Sequence, residues 1–402
     1  MNLLSTLRRS AYPLAPAEAR DSVLPAGDAD IREASDGHRG LNIVGATKHF
    51  GSQAALNDVS LDIAPGEFVA LLGPSGCGKT TMLRTLAGFE TLSAGRITLN
   101  GRHLDDGSRP LPPEERHMGM VFQAYALWPH MSVADNVGYA LKLQGIRGQE
   151  YQRRVGEALA LVELATYASR RPQDLSGGQR QRVALARCLV TSPEVVLLDE
   201  PLANLDRHLR AAMEDSFRDF HRRTRATLVY VTHDQGEAMS LADRIAVMKD
   251  GRLIQLATPE TLYRQPRSPW VAGFIGQGSV MELPGLTPST AVSGECLNAS
   301  LRAWGKGQGT ETTSVVVRPE HVHLTPIDTV PRGAVSGSHP DSGSGSQVGA
   351  RVVSSIFRGE RYEVHLRLAD GTQLQAYSPT HLAAESAVGV AIQRAWCLEP
   401  DA

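Results

Sequence analysis

Cysteine is scarce in this chain of 402 residues: Cys77, Cys188, Cys296 and Cys397 stand far apart, with no CxxC pair. That spacing excludes a disulfide framework and a zinc ribbon, and it fits a reducing compartment. Long apolar runs are missing as well; none approaches the roughly 18–20 residues of a membrane span. The first ten residues hold no extended apolar stretch, so a secretory signal is not expected. A surplus of either charge is also lacking, since 41 Lys and Arg face 43 Asp and Glu for a net charge of -2. Such a balance argues against wholesale binding to DNA or RNA, which needs a basic face. What is present is an apolar share of 42% and a charged share of 21%. That is enough for a full core, and the length suggests about two or three domains.

Residues 1–40 are rich in Ala, Pro, Asp and Arg and show little periodicity. They are expected to be a disordered tail, with a short helix through Leu3, Leu4 and Leu7 as the weaker alternative. From Leu41 short apolar runs alternate with turn signals. Phe68–Leu72, Val195–Leu198 and Leu228–Val231 are continuous apolar runs, the pattern of strands buried on both faces. Residues 149–165 and 179–190 read as helices between them. The alternation predicts a mostly parallel sheet covered by helices. Asn100-Gly101 after Arg96–Leu99 predicts a tight hairpin, and Asp62–Glu67 a turn between strands. Beyond residue 275 helical periodicity fades. Strands are expected at Ser314–Val317, Gly349–Val353, Tyr362–Leu368 and Gln373–Ala376, with a hairpin at Asp370-Gly371. A Gly/Ser-rich stretch at 333–349 reads as a flexible loop. The expected division is therefore a tail (1–40), an α/β domain (41–275) and a small all-β domain (276–402).

Gly73-Pro74-Ser75-Gly76-Cys77-Gly78-Lys79-Thr80, followed by Thr81, fits G-x-x-x-x-G-K-[ST] between a buried strand and a helix. The glycines let the backbone wrap a phosphate and present N–H groups to it. The helix dipole adds only about 0.3–1 kcal/mol at an exposed site, so a full charge is needed, and Lys79 supplies it. Thr80 would place its hydroxyl on Mg²⁺. Val195–Leu198 runs into Asp199-Glu200. Successive strand side chains point opposite ways, so Asp199 can meet the Mg²⁺ shell while Glu200 faces an attacking water as general base. Ser176-Gly177-Gly178-Gln179 opens a strong helix, with Ser176 as N-cap and two glycines that clear the space in front of it.

The segment Leu175–Gln179 resembles the signature of the ATP-binding-cassette (ABC) ATPases, and residues 41–275 resemble one such cassette. The fold implied is a P-loop NTPase cassette with an antiparallel β subdomain and a helical subdomain. The resemblance further implies that two copies sandwich two ATP molecules, each between one copy's Gly73–Thr80 and the other's Ser176–Gln179. Residue by residue, Gln123 matches the glutamine that touches Mg²⁺ and water. His233 matches the histidine that contacts the γ-phosphate. Asp206, in Ala203–Asp206, matches the acid of the loop where copies touch. Phe50 is placed like the aromatic that stacks on adenine, the plainer reading being a core Phe. Cys77 inside the loop invites a thiol-oxidation switch, but a small residue that fits the loop is the favoured reading.

Tyr125–Val133 resembles the docking segment of bacterial importer ATPases, which receives a helix from a membrane partner; a buried loop anchor is the plainer reading. Val315–Glu320 is similar to a motif of the transport-associated OB (TOBE) domain, a small barrel that follows such cassettes. The resemblance thus implies an importer ATPase at the cytoplasmic face of the inner membrane. Its partners would be a second copy, membrane permease subunits and, indirectly, an extracytoplasmic solute-binding protein, with no nucleic acid. The resemblance is to the importer group for sulfate, ferric iron, polyamines, phosphonates and sugars, and ferric iron, polyamine and phosphonate are the nearest cargoes. The rival is a soluble ABC ATPase that remodels nucleic-acid or ribosomal complexes. Those proteins usually carry paired cassettes or long coiled coils, and this chain has one cassette and no sustained heptads. His321 and His323 would share a face if both lay on a strand, and they read as surface histidines.

Overall fold

The computed structural model describes residues 39–203, 205–284, 291–293, 297, 300, 312–327 and 348–398. The expected tail to residue 38, its short helix, Asn204, Cys296 and the Gly/Ser-rich stretch to residue 347 lie outside them. The chain divides into two units between Leu256 and Ala257.

The first unit begins with the antiparallel strands β1 (Leu41–Phe50) and β2 (Gln53–Ile63), joined at Gly51-Ser52. Next come β3 (Phe68–Leu72), α1 (Lys79–Ala87), β4 (Ala94–Leu99), β5 (Arg102–Asp105) and β6 (Met118–Val121). Three helices follow: α2 (Val133–Leu143), α3 (Gly148–Leu161) and α4 (Gly177–Leu189). The unit ends with β7 (Val195–Asp199), α5 (Arg207–Thr224), β8 (Thr227–Thr232), α6 (Gln235–Leu241), β9 (Arg244–Lys249) and β10 (Arg252–Ala257). Asn100 and Gly101 both take positive φ (51° and 77°), as the predicted hairpin requires. Gly66 does the same (φ 77°) in the predicted turn before β3.

Two sheets result, ordered β2-β1-β4-β5 and β10-β9-β3-β8-β7-β6. Every residue of β3 and β8 is buried, which is why their sequences are unbroken apolar runs. The pairs β3–β8, β7–β8 and β6–β7 are parallel. One core packs α2, α3, α4 and α5 on one side, through Val137, Leu159, Val183 and Phe217. A second joins α1 to the antiparallel sheet, through Met82, Leu86, Ile43 and Leu104.

Arg116 is the largest fully buried side chain of the described residues. It donates to the carbonyls of Thr85 (2.6 Å) and Leu86 (3.0 Å) at the end of α1 and to that of Leu111 (2.8 Å), so it ties the helix end to the loop that precedes Arg116. Asp105, equally buried, faces it at 3.5 Å. Gly88 ends α1 in the left-handed region, and a Cβ there would lie 2.6 Å from the Arg116 Nε.

The second unit holds α7 (Pro259–Arg264), α8 (Pro269–Phe274), β11 (Ser279–Pro284), β12 (Ala291–Ser293), β13 (Thr312–Val317), β14 (Val322–Pro326), β15 (Val348–Phe357), β16 (Tyr362–Leu368), β17 (Gln373–Ser378), β18 (Ala387–Ile392) and β19 (Arg394–Cys397). The strands form two sheets, β11-β13-β19-β12 and β14-β18-β15-β16-β17, around one apolar core that includes Val315, Val352, Leu366 and Val390. All four strands expected from the sequence are there. His321 stands in a 3-10 turn, not beside His323 on β14, so the two do not share a strand face. Helices α7 and α8 group with this unit, although sequence character alone placed them with the first. The cause is Arg318, which is 4% exposed and donates to the carbonyls of Tyr263 and Ala272 (2.9 Å each) and of Ile275. Among the described residues no helix is long and apolar enough to cross a membrane.

Arg116→Met would leave the Asp105 carboxylate buried without its counter-charge and remove a donor from the Thr85 and Leu86 carbonyls. The expected loss of stability is about 3–5 kcal/mol, read from urea unfolding of the first unit by circular dichroism. A loss below about 1 kcal/mol, the scale of a surface substitution, would show that Arg116 does not hold α1.

Candidate functional site

In the sheet order, β3, β8, β7 and β6 are adjacent and parallel. Their carboxyl ends therefore sit side by side, where ligands bind open parallel sheets. Those ends lead into Gly73–Thr80, His233, Asp199-Glu200 and Gln123, in that spatial order. Residues far apart in sequence are thus brought together by strand pairing alone.

The loop after β3 is a cradle. Gly76 and Gly78 take φ of 80° and 103°, conformations that a side chain would strain. A Cβ on Gly78 would lie 2.4 Å from the Ala55 carbonyl oxygen, and one on Gly73 2.3 Å from that of Met248. Among the described residues no protein acceptor pairs the N–H groups of Ser75, Gly76, Gly78, Lys79 or Thr80. Such an array of open donors at a helix N-terminus suits an anion. Lys79 is 5% exposed, and its Nζ donates to the carbonyls of Gly73 (2.8 Å) and Pro74 (3.0 Å). Cys77 is buried in the core beneath, its Sγ 3.7 Å from the Lys79 Nζ. It fills space under the loop, in keeping with the plainer reading of that thiol. Thr81 continues the first turn of α1.

Thr80 Oγ1 donates to Asp199 Oδ1 at 3.4 Å, so the cradle and the end of β7 meet. The Asp199 carboxyl is raised above its ordinary range, first by burial and then by the neighbouring Glu200 charge; Arg84 and Lys79 oppose the shift. With Thr80, Asp199 forms an oxygen pair of the hard type that suits Mg²⁺. Glu200 has φ 43°, and its N–H is fixed on the Val231 carbonyl at 3.0 Å. Its carboxylate lies 3.3 Å from His233 Nδ1. Gln123 occupies an exposed turn two residues beyond β6. Phe50 is 50% exposed, with the Lys48 ammonium 4.9 Å from its ring centroid, so it is not a core residue.

Ser176 and Gln179 form a reciprocal cap: Ser176 N–H donates to Gln179 Oε1 (2.9 Å), and Gln179 N–H to Ser176 Oγ (3.3 Å). The helix begins at Gly177. Gly178 is buried, and a Cβ there would lie 2.8 Å from Leu209 Cδ1 on α5. At this glycine the bare backbone serves packing within the chain as well as clearance in front of it. Asp206 N-caps α5 through Leu209 N–H at 3.0 Å.

Sequence reasoning missed the charged layer behind His233. Glu237 on α6 is buried and accepts from Thr232 Oγ1 (2.7 Å) and Tyr230 OH (2.8 Å). Arg210 on α5 donates to Asp234 (3.1 Å) and to the Leu205 carbonyl (3.3 Å), and faces Glu237 at 3.6 Å. Arg210, Thr232, Asp234 and Glu237 line one cavity with Glu200 and His233. Burial raises the Glu237 carboxyl above its ordinary range, against the pull of Thr232, Tyr230 and Arg210. The native state therefore keeps a proton that the unfolded chain has released, and this stabilisation is lost as pH rises through the native pKa. Glu237→Gln lacks that loss. Its melting temperature relative to the unchanged chain should rise between about pH 4, near the free carboxyl pKa, and neutrality. A difference that is flat with pH would refute the raised pKa.

A profile for the family described as ABC transporter matches residues 56–203, and one for the TOBE domain matches residues 315–398. The sn-glycerol-3-phosphate import ATP-binding protein UgpC 1 of Rhizobium johnstonii is 51% identical over 245 residues, which cover 61% of this chain and 65% of that one. The spermidine/putrescine import ATP-binding protein PotA of Pseudomonas aeruginosa is 41% identical over 367 residues, covering 89% and 96%. The diacetylchitobiose uptake system ATP-binding protein MsiK of Streptomyces coelicolor is 43% identical over 307 residues, covering 75% and 80%. A solved dimer described as a bacterial ABC transporter cassette aligns with 55% of this chain and 98% of its own, at 31% identity and TM-score 0.47. With cradle, acid pair and signature in place, and relatives matched over most of their length, the chain belongs to the ABC transporter ATP-binding family.

Proposed function

We propose that this chain is the ATP-hydrolysing subunit of an ABC importer, working as a homodimer on membrane permease subunits. The observation that carries the reading is the meeting of the Gly73–Thr80 cradle with Asp199-Glu200, through the Thr80–Asp199 contact of 3.4 Å. The open N–H groups and Lys79 receive the ATP phosphates, and Phe50 offers an exposed ring to the adenine. Thr80, Asp199 and Gln123 would hold Mg²⁺, which when bound offsets the negative charge on the phosphate oxygens. Glu200 accepts a proton from the attacking water as its oxygen bonds to the γ-phosphorus and the bond to ADP breaks. His233, set against Glu200 at 3.3 Å, faces the same phosphoryl group. Asp206 and Ser176–Gln179 of each copy meet the other copy's nucleotide.

The subunit lies at the cytoplasmic face of the inner membrane. Cargo is selected elsewhere, by the permease and a solute-binding protein. Relatives of comparable similarity are named for glycerol-3-phosphate, polyamines and diacetylchitobiose, so the cassette is shared across unrelated solutes. The polyamine relative matches the largest share of this chain of those three, and polyamine remains the cargo to screen first.

Glu200→Gln should keep ATP binding, lose roughly 10²–10⁴-fold in turnover and accumulate as an ATP-bound dimer on gel filtration. Full activity in that variant would remove Glu200 from the chemistry. Lys79→Ala deletes one charge-assisted contact to phosphate, so ATP should bind about 10–100-fold more weakly; unchanged affinity would displace the cradle. The Glu200→Gln chain with Mg-ATP, used as bait in solubilised membranes, should recover multi-span proteins. Recovery of ribosomal or DNA-repair proteins alone would favour the soluble rival.

A further inference from the structure

Two consecutive residues beyond Gln123, Tyr125 (φ 58°) and Ala126 (φ 46°), stand in the left-handed region. Neither is a residue type that takes this conformation readily, so something must hold them there. The holder is Arg187 on α4, the helix that Ser176 opens. Its guanidinium donates to both strained residues, with Nη2 on the Tyr125 carbonyl at 2.8 Å and Nη1 on the Ala126 carbonyl at 2.6 Å. The same guanidinium lies over Trp128, 5.1 Å from the ring centroid, and Trp128 packs on Tyr139 of α2 at 4.5 Å.

The rest of the segment is rooted in the same helices. Tyr125 and Leu127 pack against the core shared by α2, α3 and α4. Asn136 of α2 is fully buried; it accepts from Trp128 N–H (2.9 Å) and donates to the carbonyls of Trp128, Met131 and Ser132. Tyr125–Ser132 is therefore bonded to helices, whereas β6 is bonded to the sheet. Gln123 sits between the two attachments.

We propose that Arg187 is a positioning residue that makes the Ser176 helix and the Tyr125–Trp128 segment one mechanical unit, so that displacement of either carries the other and resets Gln123. This rests on the ATP-binding reading above. On it, ATP engaged at Ser176–Gln179 is felt at Trp128, and a partner seated on Trp128 is felt at the nucleotide.

The test is intrinsic fluorescence. The full chain has four tryptophans, and Trp128→Phe identifies the share of Trp128. In the Glu200→Gln background, Mg-ATP should change tryptophan emission, and Trp128→Phe should remove that change. Arg187→Met should bind ATP, by calorimetry, close to parent affinity, yet lose more than half of the Trp128 response. Arg187→Lys keeps a charge but cannot span both carbonyls; it should fold as the parent does and show the same loss, which covers the case that Arg187→Met fails to fold. A full Trp128 response in either variant overturns the proposal, as does a parent that binds ATP with Trp128 silent. Equal loss of ATP affinity and response in Arg187→Lys would mark Arg187 as merely structural. A parent that binds no ATP overturns the function itself, and this inference with it.

Discussion

Parallel pairing of four strands is the constraint on which the site depends. Because β8 lies between β3 and β7, and β7 lies beside β6, the phosphate cradle, His233, Asp199-Glu200 and Gln123 emerge along one sheet edge. No side-chain contact creates that convergence. It follows from backbone registers such as Leu72↔Thr232 and Asp199↔Val231, which set where each strand stops. The apolar runs of these strands stabilise the sheet, and the polar residues that follow each run are left at its rim. Strand length therefore acts as the ruler for the site.

Guanidinium groups do a second job across both units. Arg116 closes the end of α1, Arg318 gathers α7 and α8, Arg210 joins the start of α5 to α6, and Arg187 holds the bend after Gln123. Each sits where the backbone turns and carbonyls can take a further donor. A guanidinium carries five donors in a fixed plane, so one side chain serves two or three acceptors at once. Burial lowers the proton affinity of Arg116, Arg187 and Arg318, yet arginine keeps its charge under any ordinary condition. That makes it a safer staple than lysine, whose pKa shifts more readily on burial.

This contrast explains what was legible in the sequence. The cradle could be read because its logic is local: eight consecutive residues build the turn, the open N–H groups and the charge. The strands were legible from their apolar runs, and the Asn100-Gly101 hairpin from the backbone freedom that it needs. The Ser176 cap was legible for the same reason. Arginine staples were not, because a guanidinium on a helix reads as a solvated face until the distant carbonyl is known. Arg187 and its acceptors at Tyr125 and Ala126 are some sixty residues apart, and Arg116 lies thirty from Thr85 and Leu86. Glu237 was hidden likewise: only the crossing of α6 over β8 puts Tyr230 and Thr232 around it. The placement of α7 and α8 follows the same rule, since Arg318 claims them from the position just after β13, far along the chain.

Unlike the open N–H groups of the cradle, the side chains that would serve a nucleotide already have partners within the chain. Lys79 donates to two carbonyls of its own loop, and Ser176 and Gln179 satisfy each other. For these side chains, engaging a phosphate is therefore an exchange of hydrogen bonds, and an exchange between neutral acceptors is nearly neutral in free energy. Their gain must come from charge. Replacing a carbonyl by a phosphate oxygen at Lys79 turns a neutral acceptor into an anionic one inside a largely buried site, where charge-assisted bonds are roughly twice as strong. Ser176 and Gln179 have no such charge of their own, and their cap must open or share its donors before it can bind. On the function proposed above, that asymmetry would order the events: the cradle takes the phosphate first, and the cap of the facing copy closes onto a negative charge already in place.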